Sequence, residues 1–322
     1  MGFRDLYLNS QTGGKIKKPE SVFEKLSAMY DGGKSSDIEM LLTGAITSME
    51  ENKQDELPEY IALINELASF YRGVSRLDEA SDAYVKALDT LKAFHREDTA
   101  DYSDLLMNHA GLLRSTGKHA RSAELFLDAV KLLEARQPRD DKALAGALAN
   151  LSLSYQAAED LKKAYKYEKK AYDLISAGAG GEIELAEALS RLAALKYRMT
   201  EYDAAEKFAS EAIELFDKLK EQSPQRSAVY ATLAAVKYHK DDYAASREAY
   251  ENAARAAKSF LGGSAEYVSA VSNLSTVCET LGDKKAALDA AKTAYKALRA
   301  LSGGGELETE YRERIKRLKS RR

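Results

Sequence analysis

The feature that most constrains this chain is repetition. Six stretches align on one another: ELASFYRGVSRLDEASDAYVKAL (66–88), HAGLLRSTGKHARSAELFLDAV (109–130), LSLSYQAAEDLKKAYKYEKKAY (151–172), LAALKYRMTEYDAAEKFASEAI (192–213), LAAVKYHKDDYAASREAYENAA (233–254) and LSTVCETLGDKKAALDAAKTAY (274–295). One small-residue column runs Ala68, Ala110, Ser152, Ala193, Ala234, Ser275, in steps of 42, 42, 41, 41 and 41. A second runs Ala80, Ser122, Ala164, Ala205, Ser246, Ala287, and a third is alanine throughout: Ala87, Ala129, Ala171, Ala212, Ala253, Ala294. Before the first stands a column of large residues: Leu67, His109, Leu151, Leu192, Leu233, Leu274.

A period of this length selects a repeat architecture. Two antiparallel helices joined by a short turn approach closely only where side chains are small, and a neighbouring Leu fills the groove between them. Each pair leaves an apolar face open, so the pairs must stack. Turn signals at Gly117-Lys118, Glu159-Asp160, Asp241-Asp242 and Gly282-Asp283 punctuate the pairs, and QPRDD, AGAGGE, QSPQR, LGGS and SGGGE separate them. Ala, Leu, Glu, Lys and Tyr dominate from about residue 57, a composition that favours helix.

These columns, the G-[KD]-[YHK] turn and the 41–42 residue length, with NHAGLL, ANLSLSY and SNLSTV in the first helix, resemble tetratricopeptide repeats of the long kind found in kinesin light chains. The resemblance covers about 57–300 and implies an all-α fold, a right-handed α-solenoid (superhelix) of stacked antiparallel helix pairs. The expected organisation is a flexible tail over 1–18, a degenerate helix pair over 19–56, six repeats over 57–304 and a capping helix with a basic tail over 305–322. The six repeats span about 57–99, 100–141, 142–182, 183–223, 224–264 and 265–304. Ala45 lies 42 residues before Ala87 and places PESVFEKLSAMY and IEMLLTGAITSME in the degenerate pair.

Other readings are narrowed by chemistry. AMYDGGKSS (28–36) has the letters of a nucleotide phosphate loop. That motif needs a strand delivering the chain into it, whereas ESVFEKLSAMY is helical in spacing. Gly32 and Gly33 read as a helix end, and Ser35, Ser36 or Asp37 as the next cap. His95, His109, His119 and His239 have no metal-ligand spacing to a second His or Cys. His109 falls in the large core column, His119 in a solvated turn, and Cys278 one helical turn after Leu274 reads as core. No catalytic pattern occurs, so neither enzymatic activity nor a cofactor or metal is expected.

The 48 Lys and Arg balance 51 Asp and Glu, giving a net charge of −3 and no global pull towards nucleic acid or anionic lipid. No stretch is apolar enough to span a membrane. The start lacks the apolar core of a secretory signal, and a single cysteine fits a reducing compartment, so the expectation is a cytoplasmic protein. The basic run YRERIKRLKSRR (311–322) reads as a cap whose charge suits a helix C-terminus.

A stripe of the first helices, lying apart from the pairing face, carries mostly small residues: Ala62, Ser69, Gly111, Ala149, Ser190, Ala194, Ala231, Ala235, Ser272 and Thr276. Its larger members are Asn65, Arg72, Arg114, Gln156, Tyr197, Arg198, Tyr238 and His239, with Asn108, Asn150, Arg191 and Asn273 on a neighbouring stripe. The family resemblance implies that this stripe lines a concave groove and that the Asn residues hydrogen-bond a peptide backbone. Arg with Tyr suits an acidic ligand segment. The expected function is therefore protein–protein recognition by a scaffold, adaptor or regulatory sensor. The alternatives are a regulator answering to nucleic acid or a small signal, and a self-associating repeat array.

Overall fold

The computed structural model describes residues 21–30, 35–220, 223–261, 263–302 and 306–320. The expected tail over 1–18, the Gly32-Gly33-Lys34 stretch and Gly303–Gly305 lie outside the described residues. Among those described there are fifteen α-helices and no strand. The chain falls into two compact units, Met1–Asp140 and Asp141–Arg322.

The first unit contains α1 (Val22–Tyr30), α2 (Ser35–Glu51), α3 (Pro58–Gly73), α4 (Leu77–Ala93), α5 (Ala100–Ser115) and α6 (His119–Ala135). The second contains α7 (Asp141–Ala157), α8 (Leu161–Leu174), α9 (Glu182–Arg198), α10 (Tyr202–Leu219), α11 (Pro224–His239), α12 (Tyr243–Leu261), α13 (Ala265–Thr280), α14 (Lys284–Ser302) and α15 (Glu306–Ser320). A short π-helical turn, Ile175–Ala179, follows α8 and contains Gly178 at φ +110°. Each unit is an α-solenoid in which antiparallel pairs stack, the second helix of one pair packing on the first helix of the next.

Packing at the pair interface follows the small residues. All eighteen members of the three columns are fully buried. The first two columns are always twelve residues apart in sequence, and they meet face to face across each pair. In three of the four couples that contain a serine, its hydroxyl donates to the main-chain carbonyl of the facing alanine: Ser122 to Ala110 at 2.7 Å, Ser246 to Ala234 at 2.8 Å, and Ser275 to Ala287 at 2.7 Å. In the fourth, Ser152 bonds Glu168 instead. Helices this close leave a buried hydroxyl no water to bond, so the facing carbonyl satisfies it. Ala45 departs from this register. It is only half-buried, and α2 turns Ile38, Leu42 and Ile46 inward instead.

The turns within pairs are equally regular. Six of them have three residues, and the middle one is always left-handed: Ser75, Gly117, Glu159, Thr200, Asp241 and Gly282, with φ between +59° and +79°. The following N–H reaches back five residues, as in Lys118 N to Leu113 O at 2.8 Å and Asp283 N to Cys278 O at 2.9 Å. This is the Schellman closure of a helix C-terminus. Helix starts are capped by side chains where the sequence supplies them. Thr99, Ser223 and Ser264 accept from the third residue on, and Asp160, Asp242 and Asp283 do the same within the turns.

Candidate functional site

The residues singled out from the stripe all lie on first helices, and the two units present them differently. In the first unit, Asn108 of α5 donates to Asn65 of α3 at 3.1 Å, joining the same position on successive first helices. About 10 Å along α3 from Asn65, two helical turns on, stands Arg72. It is exposed and makes no ion pair among the described residues. Arg114 is half-buried with its guanidinium 5.9 Å from the Phe126 ring centre, and burial presses its pKa below the usual value. Between them a side chain on Gly111 would meet nothing within 4 Å, so the surface there is open.

In the second unit the polar rungs are aromatic. Tyr197 of α9 hydrogen-bonds His239 Nε2 of α11 at 3.2 Å, and Tyr238 bonds Thr280 of α13 at 3.2 Å. His239 also stacks on Tyr202 with ring centres 5.0 Å apart and planes 7° from parallel. Burial pushes the Tyr197 hydroxyl's pKa up, with Tyr202 adding to it. Asn150 donates to Gly146 O within its own helix at 3.1 Å, Gln156 Nε2 donates to Ser152 at 3.5 Å, and Asn273 is exposed.

Two of the arginines are occupied within the chain. Arg198 donates to Glu159 at 2.5 Å. Arg191 Nε donates to Glu168 Oε1 at 2.8 Å, with Glu187 3.9 Å from its other end. Glu168 is fully buried on α8, and its second oxygen has no partner. Burial drives its pKa up; Arg191 and a hydrogen bond from Ser152 pull the other way. The sequence held a signal for this pair. Glu168 stands in the column Tyr84, Phe126, Glu168, Ala209, Tyr250, Ala291, whose other members are all buried and uncharged. Arg191 interrupts the Asn108, Asn150 column one repeat later.

The residues assigned to structure behave variously. His109 is buried, bonded to Ser81 Oγ at 3.0 Å and stacked on Tyr84, while its Nδ1 has no partner. His119 is half-buried rather than solvated, because it opens α6 instead of standing free in the turn. Cys278 is buried against Leu288 and Leu318. The basic C-terminal helix packs Leu318 and Ile315 onto α13 and α14. Arg314 donates to Thr276 at 2.8 Å, and Arg317 donates to Glu279 at 2.9 Å. Helix α1 leads into the AMYDGGKSS stretch where a phosphate loop would require a strand. No helix among the described residues is long and apolar enough to cross a membrane.

Comparison with known proteins agrees with this architecture. The tetratricopeptide-repeat family model matches residues 225–300. A protein named kinesin light chain-related 1, from Arabidopsis thaliana, is 25% identical over 140 residues, which is 43% of this chain and 23% of that protein. The matched stretch therefore spans under a quarter of the relative's length. The crystal structure of BtubC (BKLC) from P. vanneervenii superimposes with a TM-score of 0.61 at 19% identity, covering 71% of this chain and 93% of that one. A signal-transduction ATPase with a tetratricopeptide-repeat sensor from Pyrococcus horikoshii gives a TM-score of 0.67 at 14% identity, covering 98% of this chain and 48% of the other. At these identities the likeness is one of fold.

Proposed function

We propose that this tetratricopeptide-repeat protein, whose repeats resemble those of kinesin light chains, is a protein-interaction module that receives an extended, acidic peptide segment on its first-helix face. The fold supports an interaction role in general, since stacked repeats expose a continuous row of first helices. The finer reading rests on Arg72. An exposed guanidinium that holds no carboxylate among the described residues is available to an incoming one, and a bidentate arginine pair is strong and geometrically selective. The Asn65–Asn108 rung beside it offers amide groups at repeat spacing, and open space over Gly111 leaves room for a backbone. Arg191 and Arg198 contribute less to this reading, because each already holds a carboxylate of the chain.

The test is selection from a displayed peptide library, followed by calorimetry of the winning peptide with wild type, Arg72→Glu and Asn108→Ala. Acidic sequences should be enriched. Arg72→Glu should weaken binding by about tenfold or more, the scale of a charge-assisted hydrogen bond replaced by repulsion. Selection of no peptide, or of peptides that bind Arg72→Glu as well as wild type, would remove the reading.

A further inference from the structure

The second helices carry a feature that the peptide reading does not use. Helix α8 has the sequence LKKAYKYEKKAYDL, with five lysines against two acids. Ala164, Glu168 and Ala171 are its buried face. At 100° per residue Lys162, Lys163, Lys166, Lys169 and Lys170 fall on the opposite side, with Tyr165 and Tyr167 along its two edges. The neighbouring second helix α10 sets two lysines against five acids, whereas the later second helix α14 is also basic, with four lysines and Arg299 against Asp289. Lysines three and four apart on a helix repel one another, which makes the arrangement locally unfavourable.

The one acid placed to neutralise the middle of this helix is Glu168, and it is turned inward onto Arg191. The ammonium groups rest on aromatic rings instead: Lys163 lies 5.1 Å from the Tyr155 ring centre, Lys166 5.4 Å from Tyr167, and Lys169 4.7 Å from Tyr172. A ring face attracts a cation without cancelling its charge. Carboxylates reach Lys163, from Asp160, and Lys169, from Asp173, while Lys162 and Lys166 make no ion pair among the described residues. Beside the lysines Tyr155 and Tyr167 stack with centres 5.5 Å apart and planes 7° from parallel, both half-buried.

We propose that the lysine face of α8, with Tyr155 and Tyr167, binds single-stranded nucleic acid. A row of lysines without arginine supplies point charges suited to phosphodiesters. Arginine, which clamps carboxylate and phosphate alike in a plane, is absent from the face, so charge is met point by point and the aromatic rings carry the preference for nucleic acid. The lysines from 162 to 170 span about 12 Å at 1.5 Å per residue, enough to follow two or three phosphates. Partly open tyrosine rings at its edge give unstacked bases a surface to lie on, the pairing of basic track and aromatic platform used for single strands. This site faces away from the pairing side of α8 and uses none of the first-helix residues of the peptide reading.

Fluorescence anisotropy of labelled oligothymidylate with the full chain tests it, with polyglutamate and phosphatidylserine vesicles as competitors. Binding should be present at about 50 mM salt and fall steeply towards about 200 mM. The variant Lys162→Glu/Lys166→Glu/Lys170→Glu, checked for folding by circular dichroism, should bind at least tenfold more weakly. Its log–log salt slope should drop by about 2, three lost charges at about 0.7 each. The milder Lys162→Gln/Lys166→Gln/Lys170→Gln should fall between, and Arg72→Glu should bind as wild type does. No binding at low salt, equal binding by the charge-reversed variant, or displacement by polyglutamate or vesicles as effective as by unlabelled oligonucleotide would each overturn the proposal.

Discussion

Replacing Arg191 with methionine tests how the core tolerates an acid. Glu168 is 0% exposed and Arg191 22% exposed, and the bond between them links α8 to α9. Methionine keeps the stem and its packing but leaves the carboxylate buried without its cation. Breaking a buried pair from one side costs about 3–5 kcal/mol. At about 2–4 °C per kcal/mol for a unit of this size, the melting transition of the second unit should fall by roughly 6–20 °C at neutral pH. Burial raises the Glu168 pKa above its unfolded value, so the fold binds that proton more tightly than the unfolded chain. Stability contributed by this group is then present in acid and is lost as pH rises through the folded pKa. The deficit of Arg191→Met should accordingly shrink towards about pH 5, near the ordinary Glu range. Glu168→Gln alone should stay within about 1 kcal/mol of wild type, and adding it to Arg191→Met should recover most of the loss. Thermal unfolding by far-UV circular dichroism, at neutral and acidic pH, reads all four proteins. A loss below about 1 kcal/mol for Arg191→Met, the scale of an exposed pair, would show that solvent reaches the pair and would refute the reasoning.

Two further outcomes follow from the turns and the buried histidine. Thr200, a β-branched residue held at φ +62°, should give way favourably to glycine. Thr200→Gly should raise the urea midpoint by the equivalent of about 0.5–1 kcal/mol, and a lowered midpoint would contradict the left-handed turn. Burial presses the His109 pKa below the ordinary value of about 6.5, so the unfolded chain takes a proton there before the fold does. Stability should therefore be lost as pH falls below about 6.5, and His109→Leu, the residue type of its column, should flatten that part of the pH–stability curve.

Most of the fold was legible because its signal is periodic. A small residue recurring every 41–42 positions is a packing demand that local propensity cannot imitate, and all eighteen such residues are fully buried. The degenerate start was less readable, since one alanine in register, Ala45, gave way to the larger Ile38, Leu42 and Ile46 on the same helix. The stripe residues were found by helical phase, which places a side chain on a face but does not say what it already holds. Arg72, Arg191 and Arg198 look alike in sequence, yet two of them are tied to carboxylates contributed by another helix and by a turn. Their partners lie 23 and 39 residues away, beyond the reach of a single-helix pattern. The lysine face of α8 was visible as composition, but its meaning depends on Glu168 being turned inward, which composition does not show and only its place in a buried column indicates.

The facing small residues, always twelve apart, also bear on how such a chain arises. Each facing couple is complete within one repeat, and no couple contains two serines. A gene segment encoding 41 residues, excised at any phase inside the second unit, therefore returns every alanine and serine to a partner of the right kind. Unequal recombination needs no accurate breakpoint to yield a foldable product here. What it alters is the number of first helices on display, so the length of the face can change by inheritance while the chemistry holding each pair together stays fixed.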